Sequence, residues 1–326
     1  MTKRSLWILA LAAVYSAAAT GAASRSEANS YRAWRAKAVD TLVARGDANS
    51  LATAAALNFV GSAVKTRMAL QGPRTLDLAA AASKLAPQHA GIAWLHLSLC
   101  VDSPGCDIRD AATAMRWVDA DNGAAWLPTL AAAQRDKDAT EIERILGDMA
   151  RGTHFNLYWN AIVVLMFDAL DAARKQLPSG YASSDATRYA AVSAVARSEI
   201  IPPFTPLVDA CRDAVAAGER RDVCLKLSKI LQRGDTIIAQ MVGFNIERRL
   251  LPPDSKEARA VGERRRVLEW RVSAAATFDS ALLPWTNNSR ARARIAQMRS
   301  IPREEDVCIA ILRKHKMAID PPAPHT

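Results

Sequence analysis

An all-helical fold is what this sequence predicts, and three observations predict it. Apolar residues recur at spacings of three and four along nearly all of the 326-residue chain, which is the period of one helix face. Alanine, leucine and arginine dominate, and aromatic residues make up only 6%. Only 14 glycines punctuate the chain, and no run alternates in the two-residue period of a strand.

The first segment is set apart from the fold. "MTKRSLWILALAAVYSAAATGAAS" begins with Lys3 and Arg4, continues through an apolar stretch from Leu6 to Ala19, and ends in small residues. That three-part layout predicts a signal peptide over residues 1–23, cleaved after Ala19 or Ala23, and so a periplasmic or secreted protein. The apolar stretch is shorter than the roughly 20 residues a membrane span needs, so no transmembrane segment is expected after cleavage.

The helices follow in order. "SYRAWRAKAVDTLVARG" reads as a helix closed by Gly46, because glycine readily takes the left-handed conformation of a helix end. "DANSLATAAALNFVGSAVK", "TLDLAAAASKL" and "AGIAWLHLSLC" come next, the second of them ending before Pro87 and the third running into a loop that carries Cys100 and Cys106. Asp107, Asn122 and Asp138 stand where side chains cap helix starts, ahead of "IRDAATAMRWVDA", "GAAWLPTLAAAQRD" and "ATEIERILGDMAR". "HFNLYWNAIVVLMFDALDAARKQL" is apolar on all sides and predicts a central helix packed by several others.

"PSGYASSDA", Pro178 to Ala186, is a linker by composition. After it come "SDATRYAAVSAVARSEI", a hairpin turning at Gly218, "DTIIAQMVGFNIERRLL", a long helix after Pro253, and "PREEDVCIAILRKHKMA". The last has acids in its first turn and bases in its last, which complements the helix dipole. The chain is thereby divided into residues 24–178, residues 187–317 packed on them, and a tail, 318–326, expected to be disordered.

Five cysteines lie in the exported part. In an oxidising compartment close pairs become disulfides. Cys100 pairs with Cys106 across a Ser-Pro-Gly turn. Cys211 and Cys224 stand about equally far from Gly218, so an antiparallel hairpin brings them face to face. Cys308 is left over as an unbridged thiol on an apolar stripe with Val307, Ile311 and Leu312. A metal site built on His96 and Cys100 is the competing use, and Asp102 and Cys106 would have to complete its roughly four ligands in a compartment that favours oxidation.

The sequence offers no chemical motif: no H-E-x-x-H, no G-x-S-x-G and no phosphate loop. No catalytic, cofactor-binding or metal-binding residue is therefore assigned. Glu304 with Glu305, and Glu141 with Glu143, read as solubilising surface charge. The formal charge of +10 sits largely in Ser255–Met317, where 14 Lys and Arg face 7 Asp and Glu. Arg264, Arg265 and Arg266 nevertheless point three ways round a helix, which disfavours a nucleic-acid face. His154, Tyr158 and Trp159 cluster at a helix start and are the candidate partner contact.

One internal similarity bears on function. Trp94 and Trp126 are 32 residues apart, each in an Ala-Trp-Leu at the start of a helix, and Leu97, Ser98, Ala111 and Met115 follow the first. Residues 75–152 thereby resemble tetratricopeptide-like helical repeats, although the second copy has Ala120, Thr129 and Ala133 where the repeat favours proline, leucine and tyrosine. The resemblance implies an α-solenoid of stacked antiparallel helix hairpins continuing into a C-terminal helical bundle, with Trp94, Leu97 and Trp126 in the core. It also implies a concave surface for a protein or peptide partner. The expected function is thus non-enzymatic binding in the cell envelope. Two alternatives stand beside it: an inhibitor or immunity protein against an exported toxin or cell-wall enzyme, and a peptidoglycan hydrolase whose single catalytic acid leaves no local signature.

Overall fold

The computed structural model describes residues 25–59, 72–101, 103, 105–177, 179, 182–199, 201–212, 218–280 and 287–322. The expected signal peptide and parts of the expected linker and tail lie outside the described residues. Within them the protein is all-helical, with 15 α-helices and no strand.

The first seven helices pack in sequence, each on the next. They are α1 (Arg25–Arg45), α2 (Ala48–Asn58), α3 (Gly72–Leu85), α4 (Ala90–Val101), α5 (Ile108–Val118), α6 (Leu127–Arg135) and α7 (Ala139–Arg151). Local chemistry sets their ends. Gly46 closes α1 at φ +73°, and Asp47, Asp107 and Asp138 each accept a backbone N–H of the helix that follows. Asn122 caps a short 3-10 turn, Gly123–Trp126, rather than α6 itself.

Helix α8 (Trp159–Ala173) runs through the middle and packs against α1, α2 and α4 on one side. Its other neighbours are α9 (Asp185–Glu199) and α14 (Asn288–Ser300). Between these lie α10 (Thr205–Arg212), α11 (Glu219–Leu231), α12 (Ile237–Leu250) and α13 (Lys256–Ser280). α11 joins the two halves by packing on α7, and α10 does so by packing on α6. α15 (Glu304–Lys314) lies on α13.

One continuous core runs from Trp34 to Met298 and takes in Trp94 and Leu97, which are buried as the repeat resemblance implies. Two small clusters sit apart from it: Phe244, Val261 and Leu268 between α12 and α13, and Ala275, Val307, Ile311 and Leu312 between α13 and α15. Cys100 and Cys106 stand at disulfide distance with Cα atoms 5.4 Å apart, and Cys211 and Cys224 with Cα atoms 5.6 Å apart. Cys308 is half-buried beside the α13–α15 cluster and belongs to neither bridge.

Three expectations need correction. Helix α14 is absent from the sequence reading, because its Arg-Ala alternation hides the period. Only Ala291, Ile295 and Met298, spaced four and three apart, are buried. The start of the tail is not disordered as far as Pro322: Trp270 Nε1 donates to the Ala318 carbonyl at 3.2 Å, and Arg271 pairs with Asp320. Finally, the central helix begins at Trp159, not near His154, for a reason that belongs to the site.

Candidate ligand-binding cleft

A cleft of about 420 Å³ opens between α5, α6 and α7. Helix α5 buries Ala111, Ala112 and Met115 on one side. Arg109, Thr113 and Arg116 line the cleft at positions i, i+4 and i+7 of that helix. Trp117, at i+8, continues the stripe and is 68% exposed, the most exposed large apolar side chain described. Trp126, Thr129, Asp136, Asp138, Glu141 and Arg144 complete the walls. Trp126 is therefore a half-buried wall rather than the core residue the repeat implies.

Three arginines face three acids here, but their pairing is uneven. Arg144 clamps Glu141 through two hydrogen bonds and also pairs with Asp148. Asp138 accepts the Glu141 N–H at 3.0 Å. Arg116 meets no carboxylate among the described residues. Its guanidinium lies over the Trp126 ring, 4.1 Å from the centroid, and Nη2 donates to Thr113 Oγ1 at 2.7 Å. Its Nη1 is buried with no hydrogen-bond partner among the described residues. Burial, and then the nearby Arg144, hold Arg116 below the usual guanidinium range. The group is still a cation at neutral pH, so the cleft wall holds a guanidinium that pairs with no carboxylate among the described residues.

The segment 152–158 braces the 3-10 turn that carries Trp126. His154 Nε2 lies 2.8 Å from Asp119 Oδ2, and the Tyr158 hydroxyl donates to the same oxygen. Burial, with Asp119 beside it, raises the Tyr158 phenol well above its ordinary range. Asn122 Oδ1 accepts the N–H groups of Ala124 and Asn156 at 3.1 and 3.0 Å, and its Nδ2 donates to the Asn156 carbonyl at 2.9 Å. Gly152 has to be glycine, since a Cβ there would sit 2.7 Å from the Asp121 carbonyl oxygen. These bonds fix the 3-10 turn, and with it Trp126.

The expected contact patch is thus rearranged. His154 and Tyr158 do point the same way, but inward at Asp119, and Trp159 is buried. The reason is Asp235, whose two carboxylate oxygens accept the N–H groups of Leu157 and Tyr158 at 2.8 and 2.7 Å. That holds the chain extended, leaves Tyr158 at φ +56°, and delays the helix to Trp159.

A second correction concerns Glu304. It is no solvated surface charge: its Oε2 accepts the Ile237 N–H at 2.8 Å, and burial lifts its carboxyl to about 7. Burial likewise lifts Asp235 to about 6, against the pull of its N–H partners. Neither acid lines the cleft. Glu141, by contrast, is on the cleft wall and Glu143 pairs with Arg220.

The three consecutive arginines do diverge, toward Glu247 (Arg264), Glu269 (Arg265) and Glu263 (Arg266). Among the described residues no three His, Cys, Asp or Glu side chains converge as metal ligands would, and no helix is long and apolar enough to cross a membrane. The α5 stripe of Arg109, Thr113, Arg116 and Trp117 was legible in "IRDAATAMRW" by its spacing, and the sequence reading passed over it. No protein-family model, curated protein or solved structure matches this chain significantly.

Proposed function

We propose that this is an exported, non-enzymatic helical-repeat protein that binds a protein or peptide partner in the cell envelope through the α5–α7 cleft. One observation carries the reading: a largely exposed Trp117 follows directly along α5 on Arg116, a guanidinium on the cleft wall that no carboxylate matches among the described residues. Tryptophan and arginine are the side chains that anchor protein interfaces, where each is buried by the partner. An acidic or carboxylate-bearing segment fits the unmatched charge, and the volume suits a short peptide stretch rather than a folded domain.

Supporting features are coarser. Two cysteine pairs at disulfide distance fit an oxidising compartment. The consecutive packing of α4 to α7 fits stacked hairpins, each unit burying its neighbour's apolar face. An inhibitor or immunity protein is the special case in which the partner is an enzyme.

Site-directed photo-crosslinking in intact cells tests the reading. A photoreactive residue replacing Thr113 should give one discrete adduct that the same residue at the remote, exposed Arg259 does not, and Arg116→Ala should abolish it. Equal labelling from both positions, or peptidoglycan cleavage by the purified protein, would overturn the proposal.

A further inference from the structure

Residues 317–322, at the end of the described chain, form neither helix nor strand, and none of their side chains enters a buried apolar cluster. They are nevertheless held along α13. His315, just past the end of α15, stacks on Phe278 of α13 with ring centroids 4.5 Å apart, and the Met317 N–H donates to the Leu312 carbonyl at 2.9 Å. From there Trp270 Nε1 donates to the Ala318 carbonyl at 3.2 Å, Arg271 Nε to the Ile319 carbonyl at 3.4 Å and Arg266 Nη1 to the Pro322 carbonyl at 3.3 Å. As the tail advances its partners step back along α13, so the two run antiparallel.

The groups that α13 offers here are donors only, since neither an indole nor a guanidinium can accept a hydrogen bond. Each arginine is aimed by a carboxylate: Glu263 accepts two N–H groups of Arg266, and Glu305 accepts one of Arg271. Such a strip suits a segment whose carbonyls are free and whose N–H groups are few, and proline is the residue that removes an N–H. The tail has that character. Asp320 is followed by Pro321 and Pro322, and a residue before proline is driven to an extended backbone. Of the four bonds from α13, three reach main-chain oxygen and do not read the tail's side chains. The fourth, from Arg271 Nη2 to Asp320 Oδ1 at 2.8 Å, reads an acid.

We propose that the α13 strip of Arg266, Trp270 and Arg271 is a docking site for an extended, proline-rich segment with an acidic residue, carried by another protein, and that the chain's own tail fills it until displaced. The bonds that hold residues 318–322 serve such a segment equally, because they are made to backbone carbonyls that any proline-rich chain presents. A proline-rich segment is already extended and so loses little conformational freedom on docking. The tail is suited to exchange: Ala318, Asp320 and Pro322 stay exposed while docked, so its release uncovers little apolar surface. Its hold comes largely from tethering, since a short connection to α15 keeps it at an effective concentration of about millimolar. The strip shares no residue with the α5–α7 cleft.

Fluorescence anisotropy on the full-length chain, with a labelled synthetic peptide of residues 318–326, tests this. Asp320→Ala, Pro321→Gly and Pro322→Gly together release the tail, and that variant should bind the peptide at least about tenfold more tightly than the native chain, whose strip is filled. Adding Trp270→Phe, which keeps a ring and loses the N–H, should weaken binding about fivefold. The same peptide carrying Pro321→Gly and Pro322→Gly should bind more weakly than the proline form. No binding to the released variant, equal affinity for released and native chains, or indifference to Trp270→Phe overturns the proposal. So does a native chain that dimerises through Trp270, which would assign the strip to a second copy's tail. Should the released variant not fold, NMR of the native chain decides: excess peptide bearing a nitroxide should broaden the Trp270 indole N–H signal, and an unbroadened signal overturns the proposal.

Discussion

The α1–α8 half of this molecule and the pair α13 and α15 are held by different forces. In the former, Trp94, Leu95, Leu97, Leu99, Ile145 and Leu146 are almost wholly buried in one continuous core. In the latter, seven residues make two small clusters, and charged side chains make many of the remaining links. Arg271 reaches Glu305 and Asp320, while Glu247 gathers Lys229 and Arg264. Apolar burial carries no charge for salt to screen or pH to titrate, and ion pairs do. The two ends of one chain should thus answer differently to the same solution conditions.

The sharpest way to break that comparison is to remove one large side chain from each end. Trp94→Ala should cost about 3–5 kcal/mol and lower the whole unfolding transition in urea, because the cavity opens in the shared core. Ile311→Ala, in a cluster of four buried residues, should act mainly on α15, seen as faster amide exchange there with a smaller shift of the main transition. Equal global effects would show that the end has no stability of its own.

A smaller effect tests the charges. Glu247 is 3% exposed, yet its partners Lys229 and Arg264 are about half exposed. Removing the acid leaves cations that turn to water, so Glu247→Gln should cost only about 1–2 kcal/mol. The cost should shrink when chemical denaturation is repeated in high salt. An effect independent of salt would assign Glu247 to packing.

Sequence legibility divides along the same line. The helices with a clean apolar stripe or an aspartate cap, such as α5 and α7, could be read with their ends, because the determinants lie within one turn of the chain. What escaped depends on partners far away. Asp235 acts on residues 78 and 77 positions earlier, and nothing near His154 announces that its neighbours will be held extended. Helix α14 escaped since its buried stripe is three residues wide and its arginines find Asp185 and Asp168 on other helices. Glu304 looked like a helix-dipole acid and is one, but the hydrogen bond that takes it out of solvent comes from Ile237 beyond the α11–α12 turn. Of the cleft, the α5 stripe was local and readable, whereas the stacking of Arg116 on Trp126 needed the fold.

The least perturbing change gives the cleanest separation of stability from function. Trp117 is 68% exposed and belongs to no core cluster, so Trp117→Ala should leave the urea midpoint within about 0.5 kcal/mol of native. An exposed tryptophan that serves only as surface would leave the Thr113 crosslink unchanged as well. One that anchors a partner would weaken it strongly, since interface tryptophans often contribute 2 kcal/mol or more, roughly thirtyfold in affinity. A variant with native stability and no adduct therefore places the binding energy on α5, while a variant with native stability and an undiminished adduct removes Trp117 from the proposed interface.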